Sequence, residues 1–222
     1  MDFKECEKSM NLQRLRTFRP ALILALLPLF MLLLTPTDLM KGEKDNLTEQ
    51  ANWAERDPSG KIFKIYSVLR AHKKDLDKSS AWIIAKTIQE ESKKYSLDPM
   101  LVLAVIKVES SFRHLAVSPV GARGLMQIRP FVANALASEV DLKTWHGIAS
   151  LDDPVLNIKI GVFYLSRLKK RFRDMKLALT AYNWGPTRIG YKLAGKRSVP
   201  TRYAKKVLSA YRLYSQNLPQ NP

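Results

Sequence analysis

Glu109 ends an almost unbroken apolar run, Met100 to Val108, in which Lys107 is the only charge. At helical spacing it falls on the face of Val102, Val105 and Ile106, one and two turns back. A carboxylate on a buried face is costly to ionise, so its pKa should rise into the range of a general acid working near neutral pH. Gly121 and Gly124 follow a few residues later, flanking Ala122 and Arg123, and then come Leu125, Met126, Gln127 and Ile128. Two glycines so close let a backbone take positive φ or approach a ligand, and Gln127 adds an amide donor and acceptor. From the residues alone both features keep an ordinary alternative. A glutamate at a helix end is often solvated or salt-bridged, and a Gly-x-x-Gly turn is often only a turn.

Positioning such a group needs a rigid frame, and the chain reads as one made of helices. Asp98 can cap a helix that has Pro99 at its first position, and the apolar residues that follow make it buried all round. Upstream, Ile62 to His72 places Ile62, Ile65, Tyr66 and Leu69 at helical spacing, and Ser80 to Tyr95 does so with Ile83, Ile84, Thr87, Ile88 and Glu91. Downstream, Phe131 to Ala137 is helix-prone and Asp141 to Ser150 reads as a loop. Asp152 or Asp153 caps a helix carrying Ile158, Gly161, Val162 and Leu165, with Lys169 to Arg173 as its basic last turn. Leu177 to Tyr182 is a short helix stopped by Gly185 and Pro186, Ile189 to Leu193 adds a turn, and Thr201 to Tyr214 is the last helix. No stretch alternates as a long strand. The fold class is all-α, mainly helical, with a small hairpin expected within Leu115 to Arg123.

Four ordered blocks carry a resemblance. Glu109-Ser-Ser-Phe112 is followed by Ser118 and by Gly121-Ala-Arg-Gly-Leu-Met-Gln-Ile128. Ala181-Tyr-Asn-Trp-Gly-Pro186 is the third block, and the looser fourth contains Asp153-Pro154, Asn157-Ile158, Gly161 and Tyr164-Leu165. Over Leu97 to Tyr211 the chain resembles the soluble-lytic-transglycosylase family, helical lysozyme-like enzymes that cut peptidoglycan glycan strands. The resemblance implies that a single glutamate, here Glu109, protonates the oxygen bridging N-acetylmuramic acid and N-acetylglucosamine. It then acts as base on the muramyl 6-hydroxyl, which closes a 1,6-anhydro ring. Glycosidic cleavage usually employs two carboxylates. Asp98, Asp152 and Asp153 sit where helix caps belong, and the implied mechanism needs no second acid because the attacking hydroxyl is part of the substrate.

By position the resemblance also implies substrate-binding roles for Ser118, Gly124, Gln127, Tyr182, Asn183 and Tyr203. Trp184 could stack on a sugar or fill the core. The chain departs from the family where Arg113-His114 replace a usual Asn-Pro and where Arg129 replaces an apolar residue. It departs again where Val199-Pro200 stand in place of an acidic residue before the last helix. These departures bear on groove contacts and pH response more than on the reaction. Arg113, Arg123 and Arg129 would oppose a raised pKa if they approached Glu109. A hydrolysing lysozyme or a noncatalytic wall-binding scaffold of the same fold are the alternatives.

The chain has 222 residues and a formal net charge of +17, of which residues 1–19 supply only +2. A basic surface favours polyanions, and the acidic components of a cell wall fit as well as nucleic acid, for which no motif is present. His72, His114 and His146 are scattered and suggest no metal site, and no cofactor is called for. Cys6 is the single cysteine and precedes the hydrophobic segment, where a lipoprotein cysteine would follow it. Pro20 to Thr37 is uncharged behind a basic start. It reads as an uncleaved anchor with the basic end in the cytoplasm, the alternative being a cleaved signal peptide. The expected organisation is therefore an anchor at 1–37, a linker at 38–61 and a lytic transglycosylase domain at 62–218. That domain would face the periplasm or wall from a single-pass inner-membrane protein, with glycan strands and the membrane as partners.

Overall fold

A computed structural model describes residues 60–73, 76–140 and 145–216. The hydrophobic run Pro20 to Thr37 and nearly all of the expected linker lie outside these residues. Among the described residues no helix is long and apolar enough to cross a membrane. The helices are α1 (Lys61–His72), α2 (Lys78–Lys94), α3 (Pro99–Ser110), α4 (Pro130–Leu136), α5 (Pro154–Phe172), α6 (Met175–Trp184), α7 (Pro186–Ala194) and α8 (Arg202–Gln216), with a 3-10 turn at Ile148–Asp152.

Several of these helices begin where the local chemistry says they should. Asp98 accepts a hydrogen bond from Met100 N at 2.8 Å, with Pro99 in the first turn. Asp153 caps α5 through Val155 N (2.7 Å) and Leu156 N (3.0 Å), again before a proline. Asp174 caps α6 through Leu177 N at 2.7 Å. Asp152, the other candidate cap for α5, does something else: it pairs with Arg123. Ile189 to Leu193 is not a single turn but part of the full helix α7, which Pro186 starts behind Gly185.

The expected hairpin is not a pair of strands. It reduces to isolated antiparallel bridges of Val117 with Arg123 and of Arg123 with Ile128. Glycine and left-handed turns break the pairing before a ladder can extend.

Helix α3 is the centre of the packing. Met100 to Ile106 are all buried, Val102 to Ile106 completely. At about 1.5–3 kcal/mol per large apolar side chain, this helix is among the main sources of stability. It is covered by α2 and α8, while α2 also packs on α5, α5 on α6, and α6 on α7 and α8. Helix α8 runs antiparallel to α3 and is fastened to it at both ends. The Tyr211 hydroxyl donates to Asp98 Oδ2 at 2.6 Å, and the Tyr203 hydroxyl donates to Glu109 Oε1 at 2.6 Å. Satellite apolar residues Leu168, Ala178, Ala181 and Ile189 form a smaller core between α5, α6 and α7, with Val199 packed against it.

Candidate active site

The site is assembled where α3 ends. Ser111 (φ 50°) and Phe112 (φ 65°) both lie in the left-handed region, which costs non-glycine residues roughly 1–2 kcal/mol each. Burial of Phe112 and its stack on His72, with ring centroids 5.1 Å apart, offset that cost. The sharp exit leaves Glu109 at the rim of the buried helix rather than inside it. Burial is the dominant influence on its carboxyl, pushing the pKa from 4.5 to about 7, while the hydrogen bond from Tyr203 pulls the other way. No arginine is among the causes, so Arg113, Arg123 and Arg129 do not oppose the shift.

Tyr203, only 8% exposed, is the direct partner of Glu109. Burial and the nearby carboxylate push its phenol well above the ordinary value, so it remains a neutral donor. The bond to Oε1 fixes the carboxyl group in orientation. Tyr182 stands close enough to Glu109 for the carboxylate charge to raise its own phenol, after burial as the larger cause. Its hydroxyl donates to Met126 O at 2.8 Å, not to Glu109. It therefore ties α6 to the loop that forms the opposite wall.

That loop, Ala116 to Ile128, is held by its own backbone and by side chains of its own and of the elements around it. Ser118 Oγ accepts from Ala122 N at 2.9 Å, which closes the first turn; it makes no bond to Glu109. Gln127 sits at φ 48°, and its Nε2 donates to Ala116 O (2.9 Å) and Gly124 O (3.0 Å). Asn157, fully buried on α5, accepts from Met126 N (2.7 Å) and donates to Arg123 O and Leu151 O, both at 2.9 Å. Gly124 (φ 78°) lies against this amide: a Cβ there would stand 2.1 Å from Asn157 Nδ2 and 2.5 Å from Leu151 O. Close packing, as much as backbone freedom, requires glycine at this point. Arg123 reaches across to Asp152 with two bonds, Nε to Oδ1 at 3.0 Å and Nη2 to Oδ2 at 2.5 Å.

Beside Tyr182 opens a cavity of about 440 Å³, lined by Gln127, Arg129 and Phe131 on one side and by Asn183, Trp184 and Arg188 on the other. Trp184 is 40% exposed, with the Arg188 guanidinium 4.8 Å over its ring, so it belongs to the cavity wall and not to the core. The fold thus brings Glu109, Tyr182 and Tyr203 together, puts Gln127 and Asn183 in the cavity wall, and turns Ser118 and Gly124 to the scaffold of the loop. Sequence reasoning missed the work of Asn157. Its signal was an amide on the otherwise apolar face of Leu156, Ile160, Gly161 and Leu165. Chemically the arrangement offers one protonatable carboxyl, two neutral phenols and an adjoining aromatic and amide-lined cleft. The other carboxylates near this region are engaged elsewhere: Asp98 with Tyr211, Asp152 with Arg123, and Asp153 at its cap.

Residues 86–204 match the family model described as the transglycosylase SLT domain. The chain is 34% identical over 122 residues to the transglycosylase of Enterobacteria phage PRD1, covering 55% of this chain and 42% of that protein. It is 40% identical over 95 residues to membrane-bound lytic murein transglycosylase E of Buchnera aphidicola, covering 42% of this chain and 41% of that one. Among solved structures, the 70 kDa soluble lytic transglycosylase of Escherichia coli aligns with a TM-score of 0.54 at 25% identity, covering 80% of this chain and 34% of that one. The chain thus spans less than half the length of these curated relatives.

Proposed function

The chain belongs to the transglycosylase SLT domain family, and from that membership and the geometry around Glu109 we propose that it is a peptidoglycan lytic transglycosylase. The observation that carries the reading is the desolvated carboxyl of Glu109, held by Tyr203 and raised to about 7.

In this reading the protonated Glu109 donates to the glycosidic oxygen between N-acetylmuramic acid and N-acetylglucosamine as the bond breaks. Tyr203 occupies Oε1, which leaves Oε2 to carry the proton. The resulting carboxylate then takes the proton of the muramyl 6-hydroxyl, whose oxygen bonds to C1 and closes the 1,6-anhydro ring. Glu109 ends protonated again, so each turnover balances. An acid with a pKa near the working pH serves both steps. The nucleophile comes from the substrate itself, consistent with the engagement of Asp98, Asp152 and Asp153 in structural contacts. Tyr182, Gln127 and Asn183 would bind the glycan, and Trp184 would stack on a sugar face. Ser118 and Gly124 would act through the loop they shape.

We assign residues 1–37 to a membrane anchor, 38–61 to a linker and 62–218 to the catalytic domain, which would place the site on the wall side of the inner membrane. The uncharged run Pro20 to Thr37 behind a basic start supports this. Carbonate extraction that leaves the protein in the membrane fraction is the expected result; quantitative release of a chain lacking residues 1–37 would show cleavage instead. The enzymatic reading is tested by mass spectrometry of purified sacculi digested with the protein. The expected products are muropeptides with 1,6-anhydromuramyl ends. Reducing ends would make it a hydrolase, and no cleavage would make it a binding protein.

A further inference from the structure

The walls of the cavity beside Tyr182 carry a pair of stacked cations. On one side the Arg129 guanidinium lies 4.8 Å over the ring of Phe131, and on the other Arg188 lies 4.8 Å over Trp184. Both aromatics are open to solvent, Phe131 at 61% and Trp184 at 40%. Both arginines are exposed as well, and among the described residues no acid lines this cavity. A second cavity of about 850 Å³ shares Ala135, Leu136, Tyr164 and Pro186 with the first and adds Lys170 and Arg171. Among the described residues the acid in its lining is Glu139, which pairs with Arg167. Basic side chains therefore outnumber acidic ones in the linings of both cavities.

A guanidinium stacked on a ring keeps its edge N–H groups outward, and these match a carboxylate in two-point geometry. The ring beneath it holds the guanidinium in place, so less side-chain entropy is lost on binding than for a free arginine. The exposed part of Trp184 remains able to receive the apolar face of a sugar. Sugar and carboxylate would thus be read side by side.

We propose that Arg129 and Arg188 make this cleft selective for glycan strands whose muramyl substituents carry free carboxylates, over uncharged strands with the same sugar backbone. The proposal rests on the transglycosylase reading of the site and names its specificity.

The test uses soluble glycan strands with intact peptides, and the same strands with their carboxylates capped as neutral amides by carbodiimide and ethanolamine. The quantity read is the ratio of kcat/KM on uncapped over capped strands, with anhydromuramyl ends as the product. At up to about fivefold per exposed ion pair, the two arginines together should give the unaltered protein a preference for uncapped strands of about five- to twentyfold. In the double variant Arg129→Gln/Arg188→Gln the ratio should fall to within about twofold of unity, whereas Arg129→Lys/Arg188→Lys, which keeps the charge but loses the two-point edge and the stack, should fall between the two. A ratio near one in the unaltered protein, or a ratio that survives in the Gln variant, would overturn the proposal. Anhydro products without preference refute only this specificity; no anhydro product on either strand refutes the transglycosylase reading beneath it.

Discussion

Replacing Glu109 by Gln separates the chemistry of this carboxyl from its cost to the fold. Gln keeps the size and the acceptor for Tyr203 but cannot ionise. In the folded protein the Glu109 pKa is raised from 4.5 to about 7. The folded state therefore holds its proton more tightly than the unfolded chain, and stability falls as pH rises from 4.5 to about 7. Below that window the carboxyl is neutral in both states and carries no penalty; above it the penalty is complete. At about 1.36 kcal/mol per pKa unit, the ionised carboxylate costs the fold at most roughly 3 kcal/mol, and the Tyr203 bond is already counted in that figure. Glu109→Gln should thus match the parent protein near pH 4 and exceed it at pH 8 by up to about 3 kcal/mol. For a domain of this size that is a rise in Tm of roughly 6–12 °C. The same sample should form no anhydromuropeptides from sacculi, because the proton donor is gone. Urea and thermal unfolding at several pH values, run beside the digestion assay, measure both. A stability gap independent of pH, or a less stable variant that still cleaves, would refute the idea of a desolvated acid. Glu109 would then be a structural residue.

The alkaline limb of kcat/KM should fall with an apparent pKa near 7, as the acid form of Glu109 is lost; a limb above about 9 would assign the acid role elsewhere. Tyr203→Phe removes the contact that lowers the Glu109 pKa, so that limb should move to higher pH while turnover drops by roughly ten- to a hundredfold. An unmoved limb would show that Tyr203 only packs. Tyr182→Phe deprives Met126 O of its partner and should reduce turnover about ten- to a thousandfold, with a modest loss of roughly 1 kcal/mol in urea unfolding. Unchanged turnover and melting would return Tyr182 to the role of a packing aromatic. Gly124→Ala forces a Cβ into Asn157 and Leu151 O at positive φ and should cost more than about 3 kcal/mol, read by thermal melting; a near-neutral change would mean the loop can shift.

What the sequence alone determined is what depends on near neighbours. Asp98-Pro99 starts α3 and Asp153-Pro154 starts α5, because a capping carboxylate and a proline act within one helical turn. The nearly unbroken apolar run made α3 a buried helix and set Glu109 on its inner face, while the packing decided that the carboxyl is desolvated. Those facts made Glu109 a candidate acid with an expected raised pKa. The partners of these groups were decided by tertiary structure. Tyr203 meets Glu109 across 94 positions of chain, because α8 folds back antiparallel on α3. Asp152, which local rules offered as a cap, is claimed by Arg123 over a separation of 29. The partner of the Ser118 hydroxyl could not be read locally, and the Ala122 amide takes it. Trp184 could have been core or wall, and the opening of α6 into α7 at Gly185 leaves it on the wall under Arg188. Asn157 carries no local clue to the three backbone groups it joins, since they come from two loops that only the packing of α5 brings to it. Periodicity and capping report forces acting over a few residues; which polar group finds which partner is set by long-range packing, where each competes for the few donors and acceptors left unsatisfied.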